Sequence, residues 1–317
     1  SASSSRIFVQ IVSYRDPECH HTIRDLFEKA SYPERIFVGV CWQYDPQEDS
    51  EYLAVDYPRP EQVRVIQYHA NEAQGAGWAR VQAQSLWQGE EYTLQIQAHH
   101  RFEPGWDDTL IEMLSSCPSE KPAISAYLPP YTPPNALKHY DNALLRIRVR
   151  EFGKKNDPQI LHITGTPVPL SGARAGLYVS PFWIGNFLFA KSSLFYEVPT
   201  DPHIYFFAEE IMYSARLYTH GFDIFQPDRV VAYHQWNRRE TGAKQSYRRG
   251  ADERNQRSLA RVLHLLGLKP ANDAQALLEQ AKFGLGTKRT LEEFCAFAGI
   301  DLVKRTATEK ALKGVWN

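Results

Sequence analysis

Gln97-Ala98-His99-His100-Arg101 places an amide, two imidazoles and a guanidinium at the end of a six-residue run, Tyr92–Gln97, that reads as a strand. Imidazole ligates metals and changes charge near neutral pH, and a guanidinium holds anions. Where parallel strands of an α/β sheet end, loops and helix N-termini converge and ligands bind. A solvated basic loop has the same composition, so the pair of histidines decides nothing alone. Other places in the chain add to it. Ser13-Tyr14-Arg15-Asp16 closes the first apolar run, Arg80 follows the bend Gly75-Ala76-Gly77, and His234 closes the run Val230 to Tyr233. Glu209 and Glu210 open a helical stretch.

Each of these groups has a structural reading beside the chemical one. Asp16 suits a nucleotide contact or the N-cap of a helix with Pro17 at its first position. Arg15 and Arg80 suit a diphosphate or surface ion pairs, and an arginine at a helix N-terminus is a natural phosphate cradle. Gly75 and Gly77 lack the third glycine and the preceding strand of a dinucleotide fingerprint. Glu209 and Glu210 suit a reaction centre, or only a helix dipole, where each contributes about 0.3–1 kcal/mol. Trp183 reads as core and Trp236 as core or sugar platform. Eight Lys/Arg against three Asp/Glu between Arg238 and Arg261 read as a solvated face or a basic lid over a diphosphate.

The elements that must position these groups alternate strand and helix. Ile7–Ser13 is an apolar run that suits a strand buried on both faces, and Arg35–Trp42 and Val63–Tyr68 read as a second and a third buried strand. A helix from Asp16 to about Ala30 turns Ile23, Leu26 and Phe27 inward. Further helices are expected after Gly77, over Asp107–Ser116, from Glu209 to a stop at Gly221, and over Ser258–Leu266 before Gly267. Thr290-Leu291-Glu292-Glu293 is a capping box for a last helix. Residues 135–181 show strand-like pieces at Leu144–Val149 and Pro167–Leu170 in an otherwise irregular stretch. The expectation is an α/β catalytic domain over 1–239 with a helical extension over 240–317.

The chain has 317 residues, 43% of them hydrophobic, and a formal net charge of −1, so it is globular and has no global field to draw nucleic acid. Its four cysteines have no metal-ligand or disulfide-rich spacing, which points to a reducing, cytoplasmic setting. No apolar run is long enough for a transmembrane helix. A divalent metal, carboxylates and imidazoles beside an anion site form the inventory for moving a sugar from a nucleotide diphosphate, because the diphosphate must be neutralised to leave.

The motifs IVSYRDPE, LQIQAHHRF, FFAEEIMYSARLYTHGFDIFQP with VVAYHQWNR, and FGLGTKRTLEEF occur in this order across most of the chain. Together they resemble glycosyltransferase family 60. The resemblance implies a GT-A fold, a UDP-GlcNAc donor, Mn²⁺ or Mg²⁺, and retaining transfer to a hydroxyl of a polypeptide (Ser, Thr or hydroxyproline) or a glycan. It implies donor binding by Ser13, Arg15, Asp16, Arg80, Gln97 and Ala98, metal ligation by Gln97, His99 and His234, and a catalytic carboxylate at Glu209 or Glu210. One position departs from the family. Its pattern at this strand end is Asp-Ser-His, and here the residues are Gln97-Ala98-His99. A neutral amide oxygen is a poor ligand for a hard cation. The metal is then held more weakly or lost, and a donor- or glycan-binding pseudoenzyme is the rival reading.

Overall fold

The structure, a computed structural model, describes residues 5–52, 56–172, 174–238 and 251–317. Strands β1 (Ile7–Tyr14), β2 (Ile36–Tyr44), β3 (Val63–His69) and β4 (Tyr92–Gln97) are interleaved with helices α1 (Cys19–Lys29) and α2 (Ala76–Gln84). Then come β5 (His100–Phe102), α3 (Trp106–Ser115), β6 (Pro122–Ser125), and the short pair β7 (Tyr131–Thr132) and β8 (Ala136–Leu137). The strand-like pieces of the irregular stretch belong to one antiparallel hairpin, β9 (Ala143–Phe152) and β10 (Leu161–Pro169). After it lie β11 (Tyr178–Ser180), β12 (Phe187–Lys191), α4 (Leu194–Glu197), α5 (Glu209–Thr219), β13 (Asp223–Gln226) and β14 (Ala232–His234). The last elements are α6 (Ala251–Leu265), α7 (Leu291–Ala298), β15 (Ile300–Asp301), β16 (Thr306–Ala307) and α8 (Glu309–Lys313).

Eight strands form the central sheet in the order β11-β13-β6-β12-β4-β1-β2-β3. The run β4-β1-β2-β3 is parallel, and β12 inserts antiparallel between β4 and β6. Both faces of β1 are covered. Ile7, Val9 and Ile11 pack with α1 and α3, while Val12 packs with Ala79 and Ala83 of α2 on the other face. Covering both faces explains the unbroken apolar run. Ile23, Leu26 and Phe27 are buried, as their helical spacing predicts.

Helix α1 starts at Cys19 with Glu18 at its N-cap and no side-chain cap, so Asp16 does not cap it. Asp16 instead accepts from the Glu18 N–H through Oδ1, at 2.9 Å, which leaves Oδ2 for other partners. Helix α2 is set by its glycines. Gly75 has φ +100°, and a Cβ there would lie 2.3 Å from the Tyr205 carbonyl oxygen. A Cβ on Gly77 would lie 2.3 Å from the Asp201 carbonyl oxygen. Only glycine permits this approach of α2 to the segment before α5.

The capping box at Thr290 forms, and Gly267 follows α6 with φ +73°. Leu259, Val262 and Leu266 share one core with Phe294 and Ala298 of α7, Ala215 of α5 and Ile147 of β9. The C-terminal stretch thus carries a small strand pair as well as helices, and it packs into the core of the preceding residues. The expected boundary at 239/240, and most of the basic run after Arg238, lie outside the described residues. No helix among the described residues is long and apolar enough to cross a membrane.

Candidate functional site

A cavity of 330 Å³ opens at the C-terminal edge of the parallel strands. Val12, Tyr14 and Asp16 reach it from the end of β1, and Gln43 from β2. Gln97 and His99 come from the end of β4, and Arg80 from α2. The end of β14 and the segment after it add His234, Trp236 and Arg238, and Asn186 and Phe206 lie on the same wall. Two pairings bring the strand-end histidines together. Val12 is in register with Gln97 across β1 and β4, and His234 pairs with His100 across β14 and β5.

Hydrogen bonds fix the protonation of the three imidazoles. His99 Nδ1–H donates to Asp16 Oδ2 at 2.8 Å, which leaves Nε2 with the lone pair. His100 is fully used: Nε2 accepts from the Gln97 N–H at 3.2 Å, and Nδ1–H donates to the Tyr233 carbonyl at 3.1 Å. His234 Nε2–H donates to Gln97 Oε1 at 2.9 Å, and its Nδ1 is buried with no partner among the described residues. Burial pushes all three imidazoles down, His100 and His234 well below the ordinary histidine range, and Arg238 adds to the effect on His99. The cluster is neutral at neutral pH.

Asp16 carries the charge behind it. Burial alone would raise its carboxyl, but the hydrogen bond from His99 and the Arg238 guanidinium hold it below the usual carboxylate range. Arg238 Nη2 donates to Asp16 Oδ2 at 2.6 Å, so one carboxylate oxygen ties together His99 and Arg238. Trp236 donates through Nε1 to the Leu128 carbonyl, stacks on Tyr127 at 4.4 Å and meets the His234 ring in a T-shaped contact.

Arg80 is the second cation on the wall. Its Nε donates to Glu209 Oε1 at 3.2 Å and one Nη to the Gly185 carbonyl at 2.9 Å, and Trp183 lies beneath it at 5.2 Å. The other Nη is buried with no hydrogen-bond partner among the described residues.

Glu209 and Glu210 stand behind this wall and do not line the cavity. Glu209 holds Arg80, and Glu210 accepts from the Gly185 N–H at 2.7 Å. Burial raises both carboxyls; Arg80 opposes this at Glu209, and the Gly185 hydrogen bond opposes it at Glu210. Arg15 is likewise not brought to the cavity: its guanidinium donates to Asp49 at 2.7 Å and to Glu48 at 2.5 Å. Ser13 and Ala98 are buried and lie outside the wall.

The donor set does not fit Mg²⁺ or Mn²⁺. These hard cations take oxygen ligands, carboxylate foremost. Here the protein offers two neutral imidazoles and a neutral amide oxygen that accepts a hydrogen bond from His234. Asp16 is committed to His99 and Arg238. Among the described residues no three His, Cys, Asp or Glu side chains converge to hold a metal. The expected ligands Gln97, His99 and His234 are therefore neighbours that bring no negative ligand, with Gln97 bonded to His234 and His99 to Asp16.

The sequence profile described as Glycosyltransferase (GlcNAc) matches residues 6–58 and 53–304, nearly the whole chain. The chain belongs to the glycosyltransferase (GlcNAc) family. This family member is similar to the crystal structure of GalNAc-T7 with UDP, GalNAc and Mn²⁺, at 14% identity and a TM-score of 0.61. The match covers 82% of this chain and 48% of that one, so the chain spans about half the length of GalNAc-T7 as crystallised. That likeness gives the fold as GT-A. S. aureus TarS 1-349 in complex with UDP-GlcNAc matches at 13% identity and a TM-score of 0.47, over 88% of this chain and 71% of that one. No curated protein matches the sequence.

Of the residues expected at the site, the fold brings Asp16, Arg80, Gln97, His99 and His234 into one cavity. Sequence reasoning missed Tyr14, Gln43, Asn186 and Phe206. Arg238 stood inside a charge run, with nothing local to set it apart from its neighbours.

Proposed function

We propose that this glycosyltransferase moves GlcNAc from UDP-GlcNAc to an acceptor hydroxyl with retention, as a family 60 enzyme does. The acceptor in this reading is a polypeptide or a glycan, the setting is cytoplasmic, and the donor site belongs to a catalytic unit over 1–239. The observation that carries it is the convergence of Arg80, Arg238 and Asp16 on one sheet-edge cavity walled by Phe206 and Trp236. Two guanidiniums suit a diphosphate, since each offers several N–H donors in a planar fork. Tyr14 and Gln43, at the ends of β1 and β2, take the base. Asn186 and Arg80 take the sugar, with Glu209 and Glu210 behind them as positioning residues.

The experiment is to incubate the protein with UDP-GlcNAc and follow UDP release, with UDP-GalNAc and GDP-mannose as comparators. Release from UDP-GlcNAc above the comparators, into water or onto hydroxyl-bearing peptides, supports transfer, and the anomeric proton of a trapped product reads retention. The placement of both glutamates behind the wall favours one rival, a donor-binding pseudoenzyme. Tight UDP-GlcNAc binding with no release under any acceptor would support it.

A further inference from the structure

We infer that this chain neutralises the donor diphosphate with a protein-borne cation, Arg238, in place of the divalent metal that the family 60 resemblance implies. The inference rests on the UDP-sugar reading above. Three observations carry it. The first is the donor set at the end of β4, where the Gln97 amide replaces a carboxylate and its oxygen is bonded to His234. A metal entering there gains no negative ligand from that oxygen, which already gives one lone pair to His234. The second is Asp16. It is the one carboxylate on the cavity wall among the described residues, and its Oδ2 binds the Arg238 guanidinium at 2.6 Å while also accepting from His99. Its charge anchors a cation supplied by the chain, 222 positions away in sequence.

The third is the placement of Arg238 itself. Its guanidinium also donates to the Gln235 side chain and lies on the cavity wall with 14% of the side chain exposed. A guanidinium held from behind by a carboxylate and an amide is oriented before the donor arrives, so little rotamer freedom is lost on contact. With Arg80 on α2 it gives the cavity two fixed positive groups. In this arrangement Asp16 is a positioning residue for Arg238, and His99 holds Asp16 in turn.

The test is UDP affinity by calorimetry on the full chain, first with EDTA and then with millimolar manganese chloride. The expected result is equal affinity in both. Arg238→Gln should weaken UDP binding in EDTA by about tenfold or more, as loss of a charge-assisted contact does, with Arg238→Lys between the two. Uridine, which lacks the diphosphate, should bind wild type and Arg238→Gln alike. Gln97→Asp should turn UDP binding EDTA-sensitive, and the paramagnetic resonance signal of free Mn²⁺ should fall with that variant and UDP but not with wild type. UDP binding by wild type that EDTA abolishes, or Mn²⁺ uptake by wild type, overturns the inference and leaves the UDP-sugar reading standing. Absence of UDP binding in every condition overturns both. If Arg238→Gln fails to fold by circular dichroism, the lysine variant and the Mn²⁺ signal decide.

Discussion

Glu209 and Glu210 are consecutive, and about 100° of helix rotation sends them to different partners. Glu209 compensates a buried guanidinium, whereas Glu210 accepts one backbone N–H. Removing one charge of a buried pair strands the other. Glu209→Gln is therefore expected to lower stability by about 3 kcal/mol, read by urea denaturation. Because UDP would then supply the missing negative charge to Arg80, UDP should raise the melting temperature of this variant more than that of wild type. Glu210→Gln keeps an oxygen acceptor for Gly185 and should cost about 1 kcal/mol or less. Equal losses in the two variants would return both residues to the role of helix-dipole partners.

At the scale of elements, the site depends on how closely α2 approaches the segment before α5. Ala76 N–H donates to the Tyr205 carbonyl at 2.6 Å, and Gly75 and Gly77 leave room for that approach. Gly77→Ala puts a methyl group against the backbone at Asp201 and Ile204, which has no flexible end to move aside. The expected cost is about 1–3 kcal/mol, as for other overpacked contacts. Arg80 sits one turn along the same helix, so UDP affinity should fall as well. Thermal melts with and without UDP check both effects; a variant with unchanged stability and affinity would mean that α2 is not held at this point.

The same segment links the site to the C-terminal part of the molecule. Asp201 accepts from Arg261 Nε of α6 at 2.8 Å, and both side chains are buried. Arg261 also donates to the Ala276 carbonyl. Asp201→Asn leaves a buried guanidinium without its counter-charge, at an expected cost of about 3–5 kcal/mol in chemical denaturation. A loss under about 1 kcal/mol would show the pair to be solvent-screened.

Protonation acts on the molecule as a whole through His99, His100 and His234. Their folded pKa values lie below the unfolded value, so below pH about 6.5 the unfolded chain binds protons that the folded chain does not. Their contribution is complete above that pH and is lost as the pH falls. Each histidine adds about 1.4 kcal/mol of stability per pH unit in that range. The raised carboxyls of Glu209 and Glu210 act in the opposite sense below their folded values and reduce the slope there. Urea midpoints between pH 5 and 8 should rise with pH and level off near neutrality, and His234→Asn should flatten the rise by one histidine's share. A flat wild-type profile would mean that the three imidazoles are reached by water.

The local signals were legible along the chain because each depends on neighbours a few residues away. The three expected strands became β1 to β3, although β3 lies at the sheet edge and is only half-buried; Tyr92–Gln97 is a strand with those bounds, and the capping box at Thr290 formed. The meeting of Asp16 and His99 follows from one rule, that parallel strands end at one edge, whereas the antiparallel β14–β5 pairing brings His234 there. What the tertiary structure alone decided are the long-range pairings. Nothing near β12 in sequence announces that it runs antiparallel between β4 and β6. Asp16 met Arg238 and His99 rather than its helix, and Arg15 turned to Asp49. The glutamates went behind the wall. A charged side chain takes its partner from whatever the fold sets within about 3 Å in a buried place, and periodicity along a chain carries no record of that distance.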